Sequence, residues 1–153
     1  AIHLNPAMEF IQPGDDADRD FSDGYKTIEK AVRELGLPVI VKECGCGLSA
    51  KVISRLIDVG VECVDVSGVG GTSWVKLEAL RAMNMKEHSR EARLGLLLAD
   101  WGIPTAAAVM LAAPLPIKTI ASGGISNALE ASKALVLGAD LVGMARPVLQ
   151  VFF

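Results

Sequence analysis

The sequence has no excess of positive charge. Fifteen Lys and Arg stand against eighteen Asp and Glu, a formal net charge of −3 over 153 residues. Nucleic acids and anionic membranes are bound through clustered positive charge, so neither partner is indicated. No run of about 18 uninterrupted apolar residues occurs, so no membrane-spanning helix is indicated. The ATP-loop signature Gly-x-x-x-x-Gly-Lys-Ser/Thr is missing, and no Gly-x-Gly-x-x-Gly follows the first strand. Histidines number two and form no hydrolytic constellation. His88 lies in a charged segment and reads as a surface residue. Cysteines number three, at 44, 46 and 63. Cys44 and Cys46 share a glycine-rich loop, but no second pair or nearby His completes four metal ligands. Reduced thiols of a cytoplasmic protein are the expectation.

What is abundant is apolar. Hydrophobic residues make up 51% of the chain and charged residues 22%, enough for a sizeable core. Strand and helix signals alternate without a long linker. Residues 1–5 read as a strand and 6–22 as a polar loop with Asp15, Asp16, Asp18, Arg19 and Asp20. Residues 23–35 carry Tyr25, Ile28, Ala31, Val32 and Leu35 on one helical face. Residues 38–42 form a strand, 49–59 a helix with Ser49 as its cap, and 62–67 a third strand. Residues 74–83 suit a helix, 84–93 an exposed charged segment, and 94–98 an apolar helix start. Residues 103–113 form a helix with Pro104 in its first turn. Strands at 117–121 and 140–145 flank a helix at 128–137, and 147–153 open a last helix. Strands apolar throughout belong to a parallel sheet covered on both faces.

Two segments point to a site. Ile120-Ala-Ser-Gly-Gly-Ile125 and Ala139-Asp-Leu-Val-Gly-Met-Ala-Arg146 are apolar runs closing on small residues. They fit the last two strands of a (β/α)₈ barrel, whose following loops commonly bind phosphate. Glycines there let backbone N–H groups approach the anion. A doubly wound open sheet is the alternative. The barrel is preferred because His3, Asn5, Lys42, Ser67, Ser122 and Arg146 fall at or just past C-terminal strand ends, which share one mouth. A full barrel needs about 250 residues, so the expectation is a part of one, entered midway along a strand.

Within that mouth, His3 and Asn5 are two apart on a strand and point the same way. Glu9 on the following loop is a single carboxylate, able to hold Mg²⁺ together with ligand phosphates and water. Lys42 ends an apolar strand and needs an anion, either a ligand or Glu43 or Asp65. Ser67 and Thr72 flank Gly68, Gly70 and Gly71 and offer hydroxyls to a phosphate or a ribityl chain. Trp74 and Trp101 are expected to pack under loops.

Six segments in order resemble type 2 isopentenyl-diphosphate isomerase, an FMN-dependent (β/α)₈ enzyme. They are His3-Leu-Asn-Pro6 with Glu9, Val39-Ile-Val-Lys-Glu43, Asp65-Val-Ser-Gly68 with Gly70-Gly-Thr-Ser-Trp74, Asp100-Trp-Gly-Ile-Pro-Thr105, Ala121-Ser-Gly-Gly-Ile125 and Leu137-Gly-Ala-Asp-Leu-Val-Gly-Met-Ala145. The resemblance spans essentially the whole chain as strands four to eight of one partial TIM barrel, residues 1–153. It implies FMN contacts from Lys42, Ser67, Thr72, Gly124, Ile125, Ser126, Ala145 and Arg146. It implies Mg²⁺ on Glu9, with His3 and Asn5 as catalytic residues and position 8 at the substrate. The implied reaction interconverts isopentenyl and dimethylallyl diphosphate, with NADPH serving to reduce the flavin. No side chain here would readily protonate an unactivated alkene, so a flavin makes chemical sense. One departure stands out. The family places Gln where this chain has Met8, and a thioether gives no proton and no strong hydrogen bond. A cytoplasmic homo-oligomer is expected. Two other readings stay open. One is another FMN barrel of the 2-hydroxy-acid oxidase or dehydrogenase kind, which needs a catalytic His beside its Arg. The other is a structured, non-catalytic partial barrel.

Overall fold

Five short strands pair in the order in which the chain makes them, and every pairing is parallel. They are β1 (Ile2–His3), β2 (Ile40–Lys42), β3 (Cys63–Asp65), β4 (Lys118–Ala121) and β5 (Leu141–Val142). The structure is a computed structural model that describes residues 1–13, 17, 19–85 and 89–152. A doubly wound sheet reverses its strand order at a switch point. This sheet never reverses, so it is an α/β partial barrel. Right-handed crossovers between sequential parallel strands put the connecting helices on one face.

The register sorts the strand residues into two faces. Val41, Val64 and Thr119 are cross-strand neighbours. All three are at most 1% exposed and lie beneath the helices. Their alternates Lys42, Asp65 and Ile120 form the adjoining row and are only half-buried. In a closed barrel that second row faces the interior. Leu141, beside Ile120, is 59% exposed. The strands β1 and β5 each pair on one side only.

The main core joins the helix-facing row to α2 (Gly24–Glu34), α3 (Ala50–Asp58), α6 (Thr105–Ala112) and α7 (Ala128–Val136). Ile28, Ile53, Leu56 and Val109 are its large side chains, each 2% exposed or less. Full burial of each stabilises by about 1.5–3 kcal/mol. A second, smaller cluster holds α1 (Pro6–Ile11) against α4 (Trp74–Met83) through Ile11, Cys46, Val75 and Ala79. Gly95 of α5 (Ser89–Leu97) lets that helix cross closely, because a Cβ there would lie 2.6 Å from the Ala79 methyl. The last helix is α8 (Arg146–Phe152). Caps mark the starts: Ser49 Oγ accepts from Val52 N at 3.3 Å and Ser73 Oγ from Lys76 N at 3.2 Å.

Several expectations change. Residues 6–22 are not all loop, since Asn5 and Pro6 start α1. Asn5 Oδ1 accepts from Met8 N, and Pro6 supplies a first-turn residue with no N–H to satisfy. The segment expected to be an exposed charged stretch is helical from Ser89, and the apolar residues at 94–97 close α5 rather than open it. Pro104 is the N-cap of α6, one position before the first turn. Asp15, Asp16, Asp18 and His88 lie outside the described residues.

Candidate functional site

Parallel strands in sequential order bring all their C-terminal ends to one rim. A cavity of about 460 Å³ opens there, within the usual range of small-molecule sites. It gathers Lys42, Ser67, Thr72, Gly124, Ile125, Ser126, Ala145 and Arg146, all eight residues to which the resemblance assigns FMN. Lys42 is the last residue of β2, and its Nζ donates to the Glu43 carbonyl at 2.5 Å and to Cys44 Sγ at 3.5 Å. Among the described residues no carboxylate oxygen forms a salt bridge with it, although its charge acts on the neighbouring Glu43 carboxyl. Asp65 Oδ1 instead accepts from Ser122 Oγ at 2.6 Å and from Ser67 N at 3.1 Å. This ties the turns after β3 and β4 together across the cavity floor. Ser67 takes φ of 35°, a left-handed conformation rare for a residue with a Cβ. Its carbonyl accepts from Gly45 N and Gly47 N, which anchors the β2–α3 loop to the β3 turn.

The glycines act on each other. A Cβ on Gly124 would strike the Gly70 carbonyl, and one on Gly71 would lie 2.8 Å from Gly124 N. Gly68 packs as tightly on Thr105, whose Oγ1 donates to the Gly123 carbonyl at 2.6 Å. The two glycine loops are thus in backbone contact. The N–H groups of Gly71, Thr72, Gly124 and Ile125 donate to no protein acceptor among the described residues. Unsatisfied amides beside two cationic side chains form an anion-binding concavity. Ser126 differs, because the Glu130 carboxylate takes its N–H at 2.7 Å and its hydroxyl at 2.9 Å. Those bonds hold the Glu130 carboxyl below its ordinary range. Ser126 would have to leave Glu130 to meet a ligand. The amides, hydroxyls and cations suit a phosphorylated cofactor, and FMN fits this set.

The other group lies apart. His3 is paired with Lys42 in the sheet, but His3, Asn5, Met8 and Glu9 are not among the residues lining the cavity. The strand stops at His3, so Asn5 does not share a strand face with it. Asn5 is 1% exposed and its Nδ2 donates to Glu43 Oε2 at 3.5 Å. Glu9 is 7% exposed, and its Oε1 lies 3.3 Å from His3 Nε2. Among the described residues no three potential metal ligands meet. Glu9, the carboxylate to which the resemblance assigns Mg²⁺, is shared with His3. Met8 packs on the smaller core cluster beside Ile11 and Val75.

Two residues carry weight that the sequence did not signal. Glu43 Oε2 accepts from Cys44 N and Cys46 N, each at 2.6 Å, and so shapes the loop after β2. Burial pushes its carboxyl above the usual range, against those N–H groups and Lys42. Thr105 closes a recognisable motif, but its pairing with Gly123 is a tertiary contact. Both tryptophans correct the expectation of packing under loops. Trp74 is 44% exposed and lines the cavity, and Trp101 is 59% exposed. Burial also pushes the Cys46 thiol up to about 11.

The sequence pattern of the FMN-dependent dehydrogenase family matches residues 15–152. The chain belongs to that family. It is 46% identical over 151 residues to the isopentenyl-diphosphate delta-isomerase of Stutzerimonas stutzeri (strain A1501), covering 97% of this chain and 42% of that relative. It is 48% identical over 150 residues to the protein of the same name from Pseudescherichia vulneris, with the same two coverages. The chain therefore spans well under half the length of these curated relatives. Among solved structures it is similar to GMP reductase C318A from Trypanosoma brucei in complex with guanosine 5'-monophosphate. The TM-score is 0.52 at 24% identity, covering 80% of this chain and 22% of that one, which speaks for the fold alone. None of the described helices is long and apolar enough to cross a membrane.

Proposed function

We propose that this chain is the later part of a type 2, FMN-dependent isopentenyl-diphosphate isomerase barrel. The observation that carries the reading is one cavity that collects Lys42, Ser67, Thr72, Arg146 and four loop amides without protein acceptors among the described residues. FMN, when bound, supplies the acid–base chemistry that no side chain here offers, and NADPH keeps it reduced. Lys42 and Arg146 would neutralise anionic charge, and the amides of Gly124 and Ile125 would hold the phosphate. Glu9 would share Mg²⁺ with the substrate's diphosphate and water, its position kept by His3. His3 and Asn5 would flank the substrate from the end of β1, with Met8 in place of a proton-handling Gln. A 2-hydroxy-acid oxidase would need a histidine at the cavity, and among the described residues none lines it.

The three cysteines are free, in keeping with a cytoplasmic setting. Exposed apolar side chains such as Val136 and Leu141 are surface that a homo-oligomer or the rest of a barrel would cover. The test is a flavin absorbance spectrum of the purified chain with an FMN titration. Binding weakened strongly by Lys42→Ala supports the reading. A chain that takes up no FMN, alone or extended to the relatives' length, refutes it.

A further inference from the structure

A second cavity of about 460 Å³ lies outside the strand row, between α2, α3 and the loop at 101–103. Apolar side chains make most of its wall, Ile28, Leu48, Val52 and Ile103 among them. Three of its residues are aromatic: Phe21, Tyr25 and Trp101. The whole chain has one Tyr, two Trp and four Phe, seven in all, so this one cavity takes nearly half of them. Its single charged residue is Glu43, 4% exposed.

The carboxylate is used on one side only. Cys44 N, Cys46 N and Asn5 Nδ2 all donate to Oε2. The Gly45 N–H also favours the charged carboxylate, while the hydrogen bonds of full geometry among the described residues all fall on Oε2 and leave Oε1, toward the apolar wall, without one. An acceptor that carries negative charge in an apolar wall is costly unless it meets a donor. Aromatic faces around it attract the same cation that a carboxylate does. We propose that this cavity binds a small organic amine, its hydrocarbon body against Ile28, Val52 and Ile103 and its ammonium donating to Glu43 Oε1. Burial pushes the Glu43 carboxyl up from its usual range, which agrees with its apolar setting.

The site is separate from the mouth, although one stretch of backbone divides them. Lys42, Cys44 and Gly45 line the mouth, while Glu43, Cys46 and Gly47 line the second cavity. The two also differ in charge. The mouth presents Lys42 and Arg146 with Asp65, whose Oδ1 is taken up by Ser122 Oγ and Ser67 N, and the second cavity presents Glu43 alone.

The experiment is an amide NMR titration of the chain with 2-phenylethylamine, and with 2-phenylethanol as its neutral counterpart. The amine should shift the amides at 46–49 and 101–103. The alcohol should bind about tenfold more weakly, the worth of a charge-assisted hydrogen bond. Glu43→Gln should weaken the amine by a similar factor. Val52→Phe, which fills the cavity from α3, should abolish binding and leave FMN affinity unchanged. Three results would overturn the proposal: equal binding of alcohol and amine, shifts centred on Gly124 and Arg146, or full amine affinity in Val52→Phe. The last decides the matter even if Glu43→Gln fails to fold.

Discussion

Gly124 tests whether the two glycine loops form one unit. It combines φ of 85° with a Cβ direction that runs into the Gly70 backbone, whose Cα would lie 2.9 Å away. Two controls separate these effects. Gly36, past the end of α2, has φ of 60° and nothing within 4 Å of a built Cβ. Gly24, the first residue of α2, has open space and no positive φ. Gly24→Ala should stabilise by about 0.5–1 kcal/mol, because it removes freedom from the unfolded chain. Gly36→Ala should cost about 1–2 kcal/mol for the left-handed conformation. Gly124→Ala adds an overpacking cost of about 1–3 kcal/mol, for a total of about 2–5 kcal/mol. The backbone it strikes is not a flexible side chain that can swing aside. Urea denaturation midpoints measure the stabilities, and an FMN titration reads the cavity. Flavin affinity should fall in Gly124→Ala and hold in Gly36→Ala. If Gly124→Ala is no worse than Gly36→Ala in both assays, the loops are not packed as described.

Other tests address single residues. Lys42→Ala should weaken FMN binding by about tenfold or more, whereas Lys51→Ala, on the exposed face of α3, should not change it. Equal titration curves for the two would leave Lys42 a structural cation. In protein extended to the relatives' length, Met8→Gln should raise isomerase turnover with little change in flavin affinity, since a group used only in the transition state shows in kcat. Equal turnover with Met8 in place would refute the proton-handling role of position 8, and full turnover by the 153-residue chain would refute the proposal that the reaction needs more of the barrel. Glu43 has its pKa raised in the folded state, mainly by burial, so the folded chain holds its proton to higher pH than the unfolded chain does. Stability should therefore fall as pH rises through the window just above the ordinary Glu value of about 4.3, and Glu43→Gln should remove that fall. Denaturation midpoints from about pH 4 to about pH 7 would show it, and parallel profiles for both proteins would contradict it.

Much of this molecule can be read along the chain. Alternating apolar runs and capped helical segments depend on neighbours a few residues away. Strands at 40–42, 63–65 and 118–121 and helices at 50–58 and 128–136 thus appear within a few residues of where they were expected. Lys42, Ser67, Ser122 and Arg146, polar residues at strand ends, do meet in one mouth because the strands are parallel and in sequence order, whereas His3 and Asn5 do not line it. What escaped is non-local. The helix α1 was hidden because Asn5 and Pro6 look like loop residues until the buried face of Ile11 meets Val75 and Ala79. The helix α5 was hidden because its apolar side needs α4 and α1 to cover it. Asn5 reads by spacing as sharing a strand face with His3, yet the strand stops at His3 and Asn5 lies buried against Glu43.

Glu43 shows the same division most sharply. Its position after an apolar strand is local information and says only that a carboxylate stands there. Its burial, the two loop amides that it holds and the second cavity that it walls all come from segments brought together by the sheet and its helices. Periodicity and caps are short-range properties, written in adjacent residues. Cavities, loop-to-loop backbone contact and the separation of His3 and Glu9 from the cavity between the glycine loops arise from packing between residues far apart in the chain, and no local pattern encodes them.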